Sequence, residues 1–331
     1  MTDRENESGV ALISVLCLMT LFALLVGTLV AMSQTLRLSG ATSDQLAKSV
    51  YRTESAANRA LWLLLQDRRT FVNRAMASNA DQLVVRERFR ADGAAHTFEV
   101  DEIPVELTIT DMNRGLAFTG YNPTASFNMF AGYFERRPDE RAELDVLRAR
   151  LMDYVDSDDL LRSDGLEFGD YDELKKHPLP RNAPMQYPEE ALWIPGAEKF
   201  LIPDADGDLP DLTPIPPRGL QVNVGSPNAF SVSPEFVRRA GDFSKDEVAR
   251  IFDALQRVRN GEHSVEDAFA REPVLLEKLK RRVSFSESSC YTFKVRLSSQ
   301  AGIPSRHLVF SVKLGQSIPD NGIQFIEWKI K

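Results

Sequence analysis

From Val10 to Met32 the chain runs for 23 residues without a charge or a proline, and this stretch constrains everything that follows it. A helix rises about 1.5 Å per residue, so the stretch crosses a hydrocarbon core of about 30 Å. No second run of this kind occurs, which gives a single span. A secretory signal peptide has a basic start, an apolar core of about 7–15 residues and a small-residue cleavage site after that core. Here the apolar stretch is longer and no Ala-x-Ala site follows it. The small-residue junction, Gly9-Val10, instead precedes it. Residues 1–9 are polar and charged and read as a leader, with residues 10–32 as the membrane-spanning part of a helix.

The helix need not stop at the membrane, because no proline occurs before Pro104. Leu46, Val50, Ala57, Leu61, Leu64 and Leu65 recur at helical spacing, while Asp44, Lys48, Arg52, Arg59 and Asp67 fall on other faces. The pattern predicts one helix from about Val10 to about Arg69, on the order of 90 Å long. Its second half is an amphipathic spine.

After the spine the period changes. His96 to Thr110 reads as strand, since Val105, Leu107 and Ile109 alternate with Glu106, Thr108 and Thr110. Asp139 to Val155 returns to a helical stripe of Leu144, Leu147, Leu151 and Val155. The region from Asp156 to Pro217 is loop-rich. Ser233-Pro234 starts a helix that ends near Gly241, Ser244 to Glu247 is a capping box, and Ser264 to Asp267 opens a further helical stretch. Cys290–Leu297, His307–Leu314 and Phe325–Ile330 read as three strands. The order implies an α+β fold. Residues 33–111 form the spine and first strands, residues 112–283 a large inserted helical domain, and residues 284–331 the closing strands.

The net charge of −8 and the lack of a Lys/Arg stripe argue against a nucleic-acid partner. The turn Ala240-Gly241-Asp242, between two helices, places an acid where a phosphate would approach. Cys17 lies in the apolar run and Cys290 near the C-terminus, so no disulfide is expected between them. His96, His177, His263 and His307 are scattered, and neither His-Glu-x-x-His nor Gly-x-Ser-x-Gly occurs, so the chain does not read as an enzyme.

Two acidic segments are candidate ligand sites. Asp153, Asp156, Asp158, Asp159, Asp164, Glu167, Asp170, Asp172 and Glu173 are offset only by Arg162. Such density is either solvated or neutralised by a cation, and hard carboxylate oxygens on a flexible loop suit calcium. In Asp204-Ala205-Asp206-Gly207-Asp208 the spacing resembles the start of a calcium loop, although Ile215 stands at its twelfth position in place of the usual glutamate.

Gly9-Val10-Ala11-Leu12-Ile13-Ser14-Val15-Leu16 resembles the processing site of type IV pilins and pseudopilins. Most of that family carries a glutamate at the fifth mature position, here Ser14. One class, the minor pseudopilin of the general secretion pathway protein K type in type II secretion systems, typically lacks it and carries a large helical insertion. Tyr51-Arg52-Thr53-Glu54-Ser55-Ala56, the acidic segment Met152–Asp159 and the segment Gln221–Pro227 are similar to stretches of that class. Two features depart from it. The leader holds Asp3, Glu5 and Glu7 against Arg4, and Met112–Phe130 lacks the usual Asn-Leu-Asn pattern.

The resemblance implies cleavage after Gly9 by a prepilin peptidase, methylation at the new N-terminus, and a single-pass inner-membrane protein with its C-terminal domain in the periplasm. It further implies calcium in the helical domain, with other minor pseudopilins and the major pseudopilin as partners. In a filament the fifth-position carboxylate pairs with the N-terminus of the subunit above; an unpaired carboxylate in lipid costs several kcal/mol. Ser14 therefore fits a subunit at the tip. The rival readings are a minor pilin of a type IV pilus and a membrane-anchored periplasmic metal-dependent hydrolase.

Overall fold

The computed structural model describes residues 3–71, 88–118, 122–175, 179–217, 220, 222, 225–298, 306–315 and 322–330, with side chains from Leu12 onward except that of Arg306. His177, Gln221 and Asn223, named above, lie outside these residues. Helix α1 (Asp3–Thr70) has 68 residues without a break, a length of about 100 Å. Its apolar side chains from Leu12 to Leu38 are exposed, and the helix is long and apolar enough to cross a membrane.

The C-terminal half of α1 packs against the sheet. The buried stripe is Ser49, Thr53, Ala56, Ala57, Ala60, Leu61, Leu64 and Asp67. Small residues let the helix backbone approach the strands closely. Of the expected stripe, Ala57, Leu61 and Leu64 are buried, whereas Leu46 is exposed and Val50 and Leu65 are half-buried. Asp67, expected on an outer face, is buried because Arg88 pairs with it at 2.8 Å.

The sheet is antiparallel, in the order β1-β2-β5-β6-β7. The stretch expected as one strand is a hairpin of β1 (Asp92–Val100) and β2 (Ile103–Asp111). Asp101 and Glu102 make its two-residue turn with φ of 49° and 64°, the left-handed conformation that such tight hairpins require. Strands β5 (Cys290–Leu297), β6 (Arg306–Leu314) and β7 (Ile323–Ile330) lie within two residues of their expected bounds. On the face under α1, Phe293 stacks on Phe310 with centroids 4.5 Å apart, and Arg68 of α1 donates to the Tyr291 hydroxyl.

Between β2 and β5 the chain forms β3 (Leu116–Ala117), α2 (Ala131–Phe134), α3 (Pro138–Val155), α4 (Phe168–Glu173), β4 (Leu212–Thr213), α5 (Pro234–Gly241), α6 (Lys245–Arg259), α7 (Val265–Ala268) and α8 (Pro273–Lys280), with 3₁₀ turns among them. The expected caps hold. Ser233 Oγ accepts from Phe236 N–H, Ser244 and Glu247 cap reciprocally, and Ser264 Oγ accepts from Asp267 N–H. Phe127, Phe130, Phe134, Phe200 and Phe236 meet edge to face in the interior. These helices and the sheet share one contiguous apolar core.

The two connections between helices and sheet meet at Asp111, the last residue of β2, whose side chain is fully buried. Its Oδ1 accepts from Asn113 N–H and Ser288 Oγ–H, both at 2.8 Å, and its Oδ2 accepts from Ser288 N–H at 2.5 Å. The Asp111 N–H donates to Ser231 Oγ at 2.7 Å. One residue thus ties the outgoing strand to the returning chain and to the turn before α5. Burial pushes its carboxyl from 3.8 up to about 6, against the pull of these hydrogen bonds.

Candidate metal centre

Helix α3 ends at Val155, where Asp156 turns to extended backbone. This puts Asp153, one turn back, under the loop that follows. The loop doubles back so closely that Gly165 lies on the Asp153 carboxylate. A Cβ at position 165 would sit 1.8 Å from Asp153 Oδ2 and 2.8 Å from its Cγ. The loop then delivers Glu167 as the residue before α4. Carboxylate oxygens of Asp153, Asp156 and Glu167 come within 4.8 Å of one another.

The three carboxylates are not equivalent. Asp153 is fully buried, accepts Arg162 N–H at 3.2 Å and takes a hydrogen bond from the Arg162 guanidinium. Asp156 shares that guanidinium through Oδ2, while its Oδ1 is buried without a partner. Glu167 is 7% exposed, and neither of its carboxylate oxygens has a hydrogen-bond partner. Burial, then the charges of Asp153 and Asp156, push the Glu167 carboxyl up to about 7. A buried carboxylate with no donor, facing two more carboxylates, fits a divalent cation that takes six to eight oxygen ligands.

The remaining acids of this segment lie elsewhere. Asp158, Asp159 and Asp164 are exposed and hydrogen-bond locally, to Leu160 N–H, Asn182 Nδ2 and Ser163 Oγ. Asp170 Oδ2 accepts Glu167 N–H at 2.9 Å. The charge count along the sequence marked the region. It did not separate the three converging residues from their neighbours, because the convergence depends on the return path through Gly165.

The second segment lies over the sheet face opposite α1. Asp204 Oδ1 accepts the N–H groups of Asp206 and Asp208, both at 2.9 Å, and Gly207 has φ 78°. The space among the three side chains holds Lys294 of β5. Its Nζ is 3.3 Å from Asp204, 3.4 Å from Asp208 and also bridges Asp206. Arg296 bonds Asp206 at 2.9 Å, and His307 borders Asp206 and Asp208. Lys294 holds Asp206 below the usual carboxylate range. Asp211 turns away to accept from Ser233 N–H and Oγ–H, 3.0 and 2.6 Å. Here the carboxylates meet cations built into the chain, Lys294 and Arg296. The signal for this was Lys294 and Arg296 at alternate positions on the outward face of β5.

Gly9, Val10 and Ser14 all lie within α1, with Ser14 on its exposed part. No family model matches the chain, and no curated protein matches it. Among solved structures it is similar to a chain of the crystal structure of the GspK-GspI-GspJ complex from the enterotoxigenic Escherichia coli type 2 secretion system. The identity is 12%, the match covers 85% of this chain and 99% of that one, and the TM-score is 0.44.

Proposed function

We propose that the chain is a minor pseudopilin of a type II secretion system, of the general secretion pathway protein K type, and that it sits at the tip of the pseudopilus. The observation that carries this reading is the position of the helical domain, spliced between β2 and β5 of a sheet that packs under a single long helix. A mid-filament subunit contacts neighbours above and below along its spine. A domain of this size repeated at each position would collide with its copies, whereas at the end it has room. Ser14 agrees, since a subunit with none above it has no N-terminus to pair with a fifth-position carboxylate.

In this reading the exposed apolar part of α1 spans the inner membrane and the C-terminal domain lies in the periplasm. Prepilin peptidase cuts after Gly9, the new N-terminus is methylated, and the partners are other minor pseudopilins and the major pseudopilin. Asp153, Asp156 and Glu167 hold calcium, which ties the end of α3 to the start of α4 and stiffens the helical domain. The role is assembly and initiation of export rather than catalysis.

Labelling this protein in sheared or overproduced pseudopili tests the assignment. The expected result is a low-copy label at one end and, by mass spectrometry, a mature N-terminus at Val10. Label spread along the shaft at levels like those of the major subunit overturns the tip position. An intact Met1 in cells with active prepilin peptidase overturns the pseudopilin reading.

A further inference from the structure

The three-carboxylate site already has a cation at its mouth. The Arg162 guanidinium reaches Asp153 and Asp156 through one nitrogen but has no bond to Glu167, whose two oxygens remain without a donor. Arg162 therefore answers two of the three charges and leaves the buried Glu167 unanswered. Its side chain is 41% exposed, so the guanidinium caps the site from the solvent side. It is carried on the same loop that positions the ligands. Arg162 N–H bonds Asp153 Oδ2, and Arg162 C=O accepts Gly165 N–H at 2.9 Å.

We infer that Arg162 is a tethered competitor of calcium, occupying Asp153 and Asp156 until the ion displaces it into solvent; this rests on the calcium reading given above. A guanidinium offers only donors, and each of its bonds uses a carboxylate oxygen. A divalent ion bonding all three carboxylates would lie against that guanidinium, and two cations held by the same two carboxylates repel one another at that distance. The ion has the advantage of reaching Glu167. The arginine is local and always present, and its release requires only a long side chain, already part-exposed, to swing outward. Calcium binding then moves a positive charge from the site mouth to the surface of the loop, so the loop reports the ion's presence electrostatically.

The test compares wild type, Arg162→Gln and Arg162→Gln/Glu167→Gln, as full-length chains in detergent. Calcium binding is measured by titration calorimetry, and melting is followed both in chelator and at saturating calcium. Arg162→Gln is expected to bind calcium about tenfold more tightly than wild type, since a charge-assisted competitor has been removed. Adding Glu167→Gln is expected to abolish that gain. In chelator Arg162→Gln should melt below wild type, and the gap should close at saturating calcium.

Equal or weaker calcium affinity in Arg162→Gln overturns the inference while leaving the calcium site standing. So does a melting gap that persists at saturating calcium, because Arg162 would then still be on its carboxylates. A calcium affinity unchanged by Glu167→Gln places the ion elsewhere and overturns the inference as well. Absence of calcium binding by every variant removes both the calcium reading and the competitor.

Discussion

Asp111 makes the stability of this fold depend on pH in an unusual direction. Its carboxyl is fully buried, and burial raises it from 3.8 to about 6. The folded state therefore binds a proton more readily than the unfolded chain. Above about pH 6 the charged form is kept at a cost of roughly 3 kcal/mol relative to the protonated form. As pH falls through about 6 the folded state takes up its proton first and gains stability; below 3.8 the unfolded chain is protonated as well and the gain is complete. Between pH 7 and pH 5 the gain from this one group works out at about 1.3 kcal/mol. Asp111→Asn keeps a side-chain acceptor at the same place and removes the proton equilibrium. The assay is melting of the full-length chain in detergent at pH 7 and pH 5, followed through the fluorescence of Trp62, Trp193 and Trp328. All other titrating groups are common to both proteins, so their effects cancel in the comparison apart from Asp111 and its contacts. On acidification wild type should gain, relative to Asp111→Asn, about 2 °C. Parallel melting shifts in the two proteins would show that the buried hydrogen bonds fully offset the burial of the charge, and would refute the reasoning.

Gly165→Ala should lower stability by about 2–3 kcal/mol, because its Cβ meets a fully buried Asp153 carboxylate that has no room to turn away. Melting equal to wild type would mean the loop shifts freely. Calcium at about 100 times its dissociation constant should raise stability by about 2.7 kcal/mol, seen as a higher melting temperature than in chelator. The difference should vanish in Asp156→Ala/Glu167→Gln, and a difference that survives there places the ion elsewhere. Lys294→Gln removes the ammonium that bridges Asp204, Asp206 and Asp208. It should lose about 1–2 kcal/mol at low salt and less at high salt, and a salt-independent loss argues against charge as the cause.

The elements governed by local rules were legible in the sequence. The long helix follows from an uninterrupted apolar run, and the starts of α5, α6 and α7 follow from Ser233, Ser244 and Ser264 as caps. The last three strands follow from a two-residue period. What escaped depends on partners far away in the chain. The β1–β2 turn uses Asp101 and Glu102 at positive φ without a glycine, so nothing marks it locally. Asp67 reads as a surface charge until Arg88 is placed beside it. Asp204, Asp206 and Asp208 carry the spacing of a cation loop, and only the fold reveals that Lys294, 90 residues beyond Asp204, reaches all three. In the first acidic loop the sequence marked nine acidic residues, of which the fold brings three together. Burial selects Asp153 and Glu167 from among them, and burial is a property of the packed chain.

Because β2 and β5 are hydrogen-bonded neighbours, with Asp111 opposite Tyr291, the sheet without its inserted domain would be a simple meander. Synthesis of this chain must therefore suspend the sheet half-built. The free-energy cost of bringing the ends of a long loop together grows only slowly with its length, yet it must be met before the pairing gives anything back. An inserted region that folded first would remove most of that cost. Its own backbone bonds, Asn228 N–H to Asn113 C=O at 2.7 Å and Ser284 N–H to Pro227 C=O at 2.8 Å, hold the start and end of the detour side by side before β5 exists. The helical domain is in this sense the jig on which the sheet is closed, and the order of events follows. In pulsed hydrogen exchange during refolding, amides of α5 and α6 should gain protection before those pairing β2 with β5, and simultaneous protection would mean that the sheet closes without this help.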